Sequence, residues 1–242
     1  MSRNLVIGDI HGALKALKQL IQKINVTPDD HLIFLGDYVD GWSESAELIS
    51  FLMELNTTHN CTFLRGNHDE LCYTWLTQNT YNSDWIKHGG QATMNSYAKK
   101  SKEEIETHLH FFEGLINYHI DNRNRLFLHA GFTNLNGPHR EYFEKLFYWD
   151  RTLWETALGL DAQLEKTDCR YPKRLLIFDE IYIGHTPVTR INKTVPINAA
   201  CVWNMDTGAA FKGPLTIMDI DTKEYWQSDP VHLLYPQERG RN

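Results

Sequence analysis

Five short segments carry the residue types that bind metals and move protons. In chain order they are Gly8-Asp9-Ile10-His11-Gly12, Gly36-Asp37-Tyr38-Val39-Asp40, Gly66-Asn67-His68-Asp69, His129-Ala130-Gly131 and Gly184-His185-Thr186-Pro187. Carboxylate oxygen, amide oxygen and neutral imidazole form a mixed O/N shell without thiolate. Such a shell suits Mn²⁺, Fe, Co²⁺ or Zn²⁺ better than Ca²⁺ alone. A carboxylate can bridge two cations, and two metals about 3.5–4 Å apart can clamp an in-line displacement at phosphorus and acidify a water. Singly, each motif has an ordinary reading as a turn or a hydrogen-bonded structural histidine. Five compatible motifs in this order point to a dinuclear metal centre.

The elements that must position these residues alternate. Leu5-Val6-Ile7 reads as a strand ending at Gly8-Asp9, followed by a helical pattern of Leu14, Leu17, Leu20, Ile21 and Ile24. Thr27-Pro28-Asp29-Asp30 breaks that helix. Leu32–Leu35 reads as a second strand, about 44–55 as a second helix, and Thr62-Phe63-Leu64 as a third strand. Short apolar strands alternating with amphipathic helices predict a parallel sheet covered by helices, with ligands beyond the carboxyl ends of its strands. The stretch 70–113 reads as helical, broken at Gly89-Gly90, and 138–160 reads as helical again. Strand patterns recur at 115–120, 126–129 and 181–184, with hairpin-like segments over 194–227. No linker or repeat interrupts the chain, so a single domain over 1–242 is expected, with 70–113 as a helical insertion on the substrate side.

Composition narrows the class. The chain has 242 residues, 42% hydrophobic and 23% charged, which excludes a disordered or fibrous protein. No apolar run reaches the roughly 18 residues of a membrane span, and no signal-peptide core follows Met1, so a soluble cytoplasmic protein is expected. Twenty-four Lys and Arg against 31 Asp and Glu give a net charge of −7, which argues against nucleic acid as a partner. An acidic chain can still take an anionic substrate if metal ions supply local positive charge. The four cysteines, Cys61, Cys72, Cys169 and Cys201, lack CxxC spacing and read as reduced thiols, mostly buried.

The five motifs together resemble the calcineurin-like metallophosphoesterases, more narrowly the bacterial and phage branch of the phosphoprotein phosphatases. The stretch from Trp85 to Tyr97 is similar to a loop-helix element of those enzymes, and Asp206-Thr207-Gly208 with Gly213-Pro214-Leu215-Thr216 to their C-terminal strand pair. The resemblance implies an α/β/β/α sandwich of two mixed β-sheets flanked by helices, with a helical cap region. It implies Asp9 and His11 on a first metal, Asp37 bridging both, and Asn67, His129 and His185 on the second. It assigns His68 as the general acid and Asp40 as the carboxylate that orients it and favours its protonated form. Two divalent ions are implied, Mn²⁺ first, with Fe, Zn²⁺ or Co²⁺ as alternatives.

One position departs from the pattern. The phosphatases continue Val-Asp-Arg-Gly, and that arginine grips the substrate phosphate. Here the chain reads Val39-Asp40-Gly41-Trp42. Arg151 and Arg65 are the candidates to bind phosphate instead, since a guanidinium matches a pair of phosphoryl oxygens. Trp42 reads as a packing residue, His88 as solvent-exposed, and His59, His108 and His110 as surface residues.

These assignments lead to a metal-dependent phosphomonoesterase acting on phosphoserine or phosphothreonine proteins, or on a small phosphoester, by direct attack of a metal-bridging hydroxide. The alternative is a symmetrical dinucleoside tetraphosphate hydrolase on the same frame. Asp40 is read as favouring the phosphatase, because the hydrolase pattern lacks a carboxylate there. A nuclease or cyclic-nucleotide phosphodiesterase is disfavoured by Pro187, which stands where those enzymes carry a further metal-binding histidine.

Overall fold

The computed structural model describes residues 2–241. Its strands are β1 (Asn4–Ile7), β2 (His31–Phe34), β3 (Asn60–Phe63), β4 (Tyr118–Ile120), β5 (Arg125–Leu128), β6 (Glu180–Ile183), β7 (Ile197–Ala199), β8 (Val202–Asn204), β9 (Thr216–Asp219) and β10 (Tyr225–Gln227). They form two five-stranded sheets, ordered β10-β9-β1-β2-β3 and β4-β5-β6-β8-β7. In the first, β1, β2 and β3 are parallel, while β9 and β10 add antiparallel edges. In the second, β5, β6 and β8 are parallel between antiparallel β4 and β7. This is the α/β/β/α sandwich of two mixed sheets that the resemblance implies.

Period-2 alternation assigns the faces. Val6, Ile33, Leu35, Phe127, Tyr182 and Met218 pack in the layer between the sheets. Their neighbours Leu5, Ile7, Leu32 and Phe34 turn to the outer helices of the first sheet. Leu126, Leu128, Ile181 and Ile183 turn to those of the second. Strands buried on both faces must be apolar throughout, which is why they read as unbroken runs.

The helices over the first sheet are α1 (Leu14–Lys23), which buries Leu14, Ala16, Leu17 and Leu20, and α2 (Ser45–Asn56), which buries Leu48, Ile49, Leu52 and Leu55. A helical stretch follows: α3 (Asn67–Gln78), the short α4 (Ser83–Trp85), a turn over Ile86–Gly90, α5 (Gln91–Tyr97) and α6 (Lys102–Glu113). The kink falls at Gly89, φ +108°. Beyond it come α7 (Leu146–Trp149), α8 (Thr152–Leu158) and α9 (Val231–Leu234).

Two local expectations differ from the structure, those for 138–160 and for His108. The segment 138–160 is not one helix: the Asp150 carboxylate accepts from the backbone N–H groups of Thr152 and Leu153, both at 3.0 Å, and so starts α8 afresh. The hairpin-like segments expected over 194–227 are present as two antiparallel pairs, β7–β8 in one sheet and β9–β10 in the other. His108 is not a surface residue. It is 3% exposed, between Ser50 Oγ of α2 at 2.9 Å and Tyr97 OH of α5 at 3.0 Å, because α6 turns it inward.

All four cysteines are unpaired, with Cys169 exposed. Among the described residues no helix is long and apolar enough to cross a membrane.

Candidate active site

The carboxyl ends of six parallel strands deliver the polar residues to one place. Asp9 follows β1, Asp37 follows β2, Asn67 follows β3, His129 follows β5, His185 follows β6 and Asp206 follows β8. All six are buried. The turns that aim them are tight. His11, Asp37, Asp40 and His185 have φ of +54°, +54°, +74° and +67°, the left-handed region that side chains seldom adopt. Backbone bonds over-determine these turns: the N–H groups of Ile10 and His11 both donate to Asp37 O, and Gly12 N–H donates to Tyr38 O. The Asp69 carboxylate accepts from the N–H groups of Asp37, Tyr38 and Gly66 at 2.8–2.9 Å, tying the second motif to the third. Gly184 must be glycine, since a Cβ there would fall on the Asp9 carboxylate.

Two donor groups form around Asp37. Ligand atoms of Asp9, His11 and Asp37 lie within 4.8 Å of one another, as do those of Asp37, His129 and His185. Asp37 Oδ2 is 3.4 Å from His11 Nε2, and its Oδ1 is 3.4 Å from His129 Nε2. Asn67 Oδ1 is 3.2 Å from His129 Nε2 and 2.9 Å from His185 Nδ1.

The outer nitrogens are committed to backbone. His11 Nδ1 donates to Val39 O and Asp40 O at 3.0 Å, and His129 Nδ1 donates to Leu35 O at 2.8 Å. Each Nε2 therefore faces the cluster, the arrangement typical of metal-binding histidines. His185 Nε2 is buried without a hydrogen-bond partner.

The electrostatics follow from burial. Burial raises Asp9 well above the usual carboxylate range, helped by Asp206. Burial pulls His11 and His185 well below the ordinary histidine value. His129 is opposed by burial, yet Asp37 and Asp9 outweigh it and push it up to about 10. Asp37 shows the complement: burial is outweighed by His129, His68 and His11, which hold it well below its ordinary value. Inward-facing oxygens and nitrogens crowded this closely need positive charge among them. The mixed O/N set, with His185 Nδ1 turned to it beside Asn67 Oδ1, fits two divalent cations.

Beside the cluster, His68 Nδ1 is 2.6 Å from Asp40 Oδ2. The same oxygen accepts the Trp85 indole N–H at 2.5 Å, and Thr93 Oγ1 donates to Asp40 Oδ1 at 2.6 Å. Asp40 is completely buried. The stretch 70–113 thus supplies two of the groups that hold Asp40.

A cavity of about 650 Å³ opens over these groups, lined in part by Asp37, His68, Trp85, Trp149, Arg151 and Arg241. Arg190, Phe211 and His88 also line it, His88 as an exposed residue at the opening. Trp42 is fully buried and packs on Tyr235, its ring centroid 5.2 Å away.

The structure separates the two candidate arginines. Arg151 faces the cavity and donates to Thr186 Oγ1 at 2.9 Å. Arg65 does not. It pairs with Glu70 at 2.6 Å, donates to Phe112 O and Leu115 O, and lines a separate cavity with Tyr73 and Tyr148. Its proximity in sequence to Asn67 does not carry over, because the strand directs position 65 toward α6. Sequence reasoning missed Arg190 and Arg241, which no motif marks. It also left Asp206, Trp85 and Thr93 without roles, although the segments holding them had been noticed.

Comparison with known proteins agrees with this geometry. Residues 2–209 match the calcineurin-like phosphoesterase family. The chain belongs to that family, whose members carry a dinuclear divalent metal centre. Among its relatives is a protein of Oceanobacillus iheyensis named bis(5'-nucleosyl)-tetraphosphatase PrpE [asymmetrical], 25% identical over 91% of this chain and 89% of its own. The protein of the same name from Bacillus subtilis is 26% identical over 98% of both.

Solved structures share the fold. One, of a candidate diadenosine tetraphosphatase, has a TM-score of 0.63 at 18% identity over 93% of this chain and 92% of that one. Another, a protein serine/threonine phosphatase of Saccharomyces cerevisiae, also reaches 0.63, at 16% identity over 94% and 80%. The fold therefore does not separate the two activities.

The near full-length relatives are named tetraphosphatases, which overturns the phosphoprotein-phosphatase reading. The inference from Asp40 fails for a physical reason. Asp40 touches His68, Trp85 and Thr93, so it shapes the imidazole and does not read what the phosphorus carries.

Proposed function

We propose that this chain hydrolyses a phosphoanhydride of a dinucleoside tetraphosphate, with unequal products as the names of its relatives state. The observation that carries the reading is a set of three guanidiniums, Arg151, Arg190 and Arg241, that line one cavity. None makes an ion pair with a carboxylate among the described residues. Burial lowers the Arg151 value first, and the neighbouring Arg190 and Arg241 lower it further against an opposing Asp206. A phosphomonoester brings about two negative charges. A four-phosphate bridge brings about twice that and extends along the cavity, so it matches three separate guanidiniums better. Trp149, 44% exposed, and Phe211 supply ring faces for a base.

In this reading Asp9, His11 and Asp37 hold one cation, and Asp37, Asn67, His129 and His185 the other, Mn²⁺ being the first candidate. Bound there, the two cations polarise the phosphoryl group and acidify the attacking water. Arg151 and Arg190 orient the phosphate chain, and His68 gives its proton to the departing phosphate oxygen. One water is consumed, one P–O–P bond breaks, and a nucleoside monophosphate and a nucleoside triphosphate leave. The unpaired cysteines are compatible with a reducing compartment such as the cytoplasm.

The test is parallel hydrolysis by metal-stripped, Mn²⁺-restored protein of diadenosine tetraphosphate and of a phosphothreonine peptide. Mono- and triphosphate from the dinucleotide, with the peptide intact, is the expected result. Two equal diphosphates would reverse the cleavage position, and an untouched dinucleotide would sink the reading.

A further inference from the structure

We propose that Arg241 grips a substrate phosphoryl oxygen beside the Asp9–His11 cation site, filling from the C-terminal segment the space left open at Gly41. Gly41 lies between Asp40 and Trp42 with φ +114°, where any side chain is strained. A Cβ there would lie 3.3 Å from Arg241 Cγ and 3.4 Å from His11 O. Position 41 thus cannot easily supply a cation, and the stem of Arg241 already runs past it. The same stem passes 3.2 Å from the Cβ position of Gly89, at the kink of the helical stretch.

This placement is built. The Tyr235 ring stacks on Trp42, and its hydroxyl bonds Glu44 and the backbone N–H of Lys15. The Glu238 carboxylate accepts from Ser43 N at 2.9 Å and from Ser43 Oγ at 2.7 Å. Gly240 packs on Trp42, where a Cβ would collide with the indole, and Arg241 N–H donates to Ala210 O at 2.9 Å. The segment 235–241 is therefore moored to the loop that follows Asp40, with Arg241 at its cavity end.

The guanidinium points to an anion. Arg241 Nε is buried without a hydrogen-bond partner. Nη1 lies 3.4 Å from His11 Nε2, the nitrogen that faces the first cation site. A guanidinium beside a divalent cation is repelled unless an anion lies between them, and a phosphoryl oxygen satisfies both. The inference rests on the proposed function only for the substrate's identity, since any phosphate at the metals meets the same group.

The probe is inorganic phosphate, titrated calorimetrically into Mn²⁺-loaded protein. Arg241→Met keeps the aliphatic packing and removes the charge. It should weaken phosphate binding about 10- to 100-fold, with metal content and melting temperature unchanged. Free guanidinium should restore phosphate binding to Arg241→Ala.

Unchanged phosphate affinity in Arg241→Met overturns the proposal. So does tighter metal binding with phosphate affinity unchanged, which would make the arginine an occupant of an empty metal cage. Loss of phosphate binding only in step with metal content or melting temperature overturns it too, as a structural role. A wild type that binds phosphate through Arg241 yet leaves the dinucleotide intact would refute the proposed substrate and not this residue.

Discussion

His68 and Asp40 meet at 2.6 Å, through Nδ1 and Oδ2, inside a pocket where the carboxylate is fully buried. With Nδ1 donating to Asp40, Nε2 is left as the nitrogen that exchanges protons. The carboxylate fixes the tautomer and orientation of the ring, which presents Nε2 to a departing oxygen. His68→Asn should lower kcat on the dinucleotide by roughly 10²-fold, the low end for general-acid catalysis, because the departing phosphate is a weak base. Elemental analysis should show both metals retained. Loss of metal would make His68 a ligand and refute the role.

Asp37 turns one oxygen toward each donor group, Oδ2 to His11 and Oδ1 to His129. Asp37→Asn should therefore impair binding of both ions, where loss of a terminal ligand such as His185 should release one preferentially. Stoichiometry at graded Mn²⁺ concentrations separates these cases. A variant that still holds two ions with full activity refutes the bridge.

The strands and the metal cluster were legible because each rests on a local rule. Leu5–Ile7 and Leu32–Leu35 are apolar on both faces, which only a covered sheet tolerates, and the ligands follow at the strand ends. What failed depends on chain far away in sequence. His108 looks exposed until α6 is packed on α2 and α5, and Arg65 looks like a phosphate-binding residue until α6 takes its guanidinium. Arg241 lies 230 residues from His11, and nothing local marks it. Substrate class was the hardest to read, because Asp40 serves the imidazole and the cavity-lining guanidiniums of Arg190 and Arg241 lie outside every motif.

Thr93 both accepts from Asp40 N–H at 2.9 Å and donates to its carboxylate at 2.6 Å. It touches no substrate, so its effect runs through His68. Thr93→Val should cost about 1–3 kcal/mol of stability and about tenfold in kcat, with KM little changed. Thr93→Ser should recover most of both. A shift in KM alone, with the kcat pH profile intact, would remove Thr93 from the positioning of the acid.

Stability should fall on mild acidification, and His108 gives the reason. Burial, with Lys100 adding to it, pushes this imidazole down to about 4. In the unfolded chain it titrates near the ordinary value of about 6.5. Between those two values the unfolded state carries a proton that the folded state refuses, so stability drops as pH falls through that window and levels off below it. The full effect is about 3 kcal/mol. His108→Gln removes the titration while retaining groups that can bond Ser50 and Tyr97. The variant should be less stable at pH 7.5 by about 1 kcal/mol and lose less than the wild type between pH 6.5 and 4. Urea melts of the metal-free proteins across that range measure the difference, and the carboxylates and metal-binding histidines common to both cancel in it. Parallel stability curves for the two proteins would mean that His108 is free to protonate in the folded state, and that the clamp between α2, α5 and α6 is looser than the structure describes.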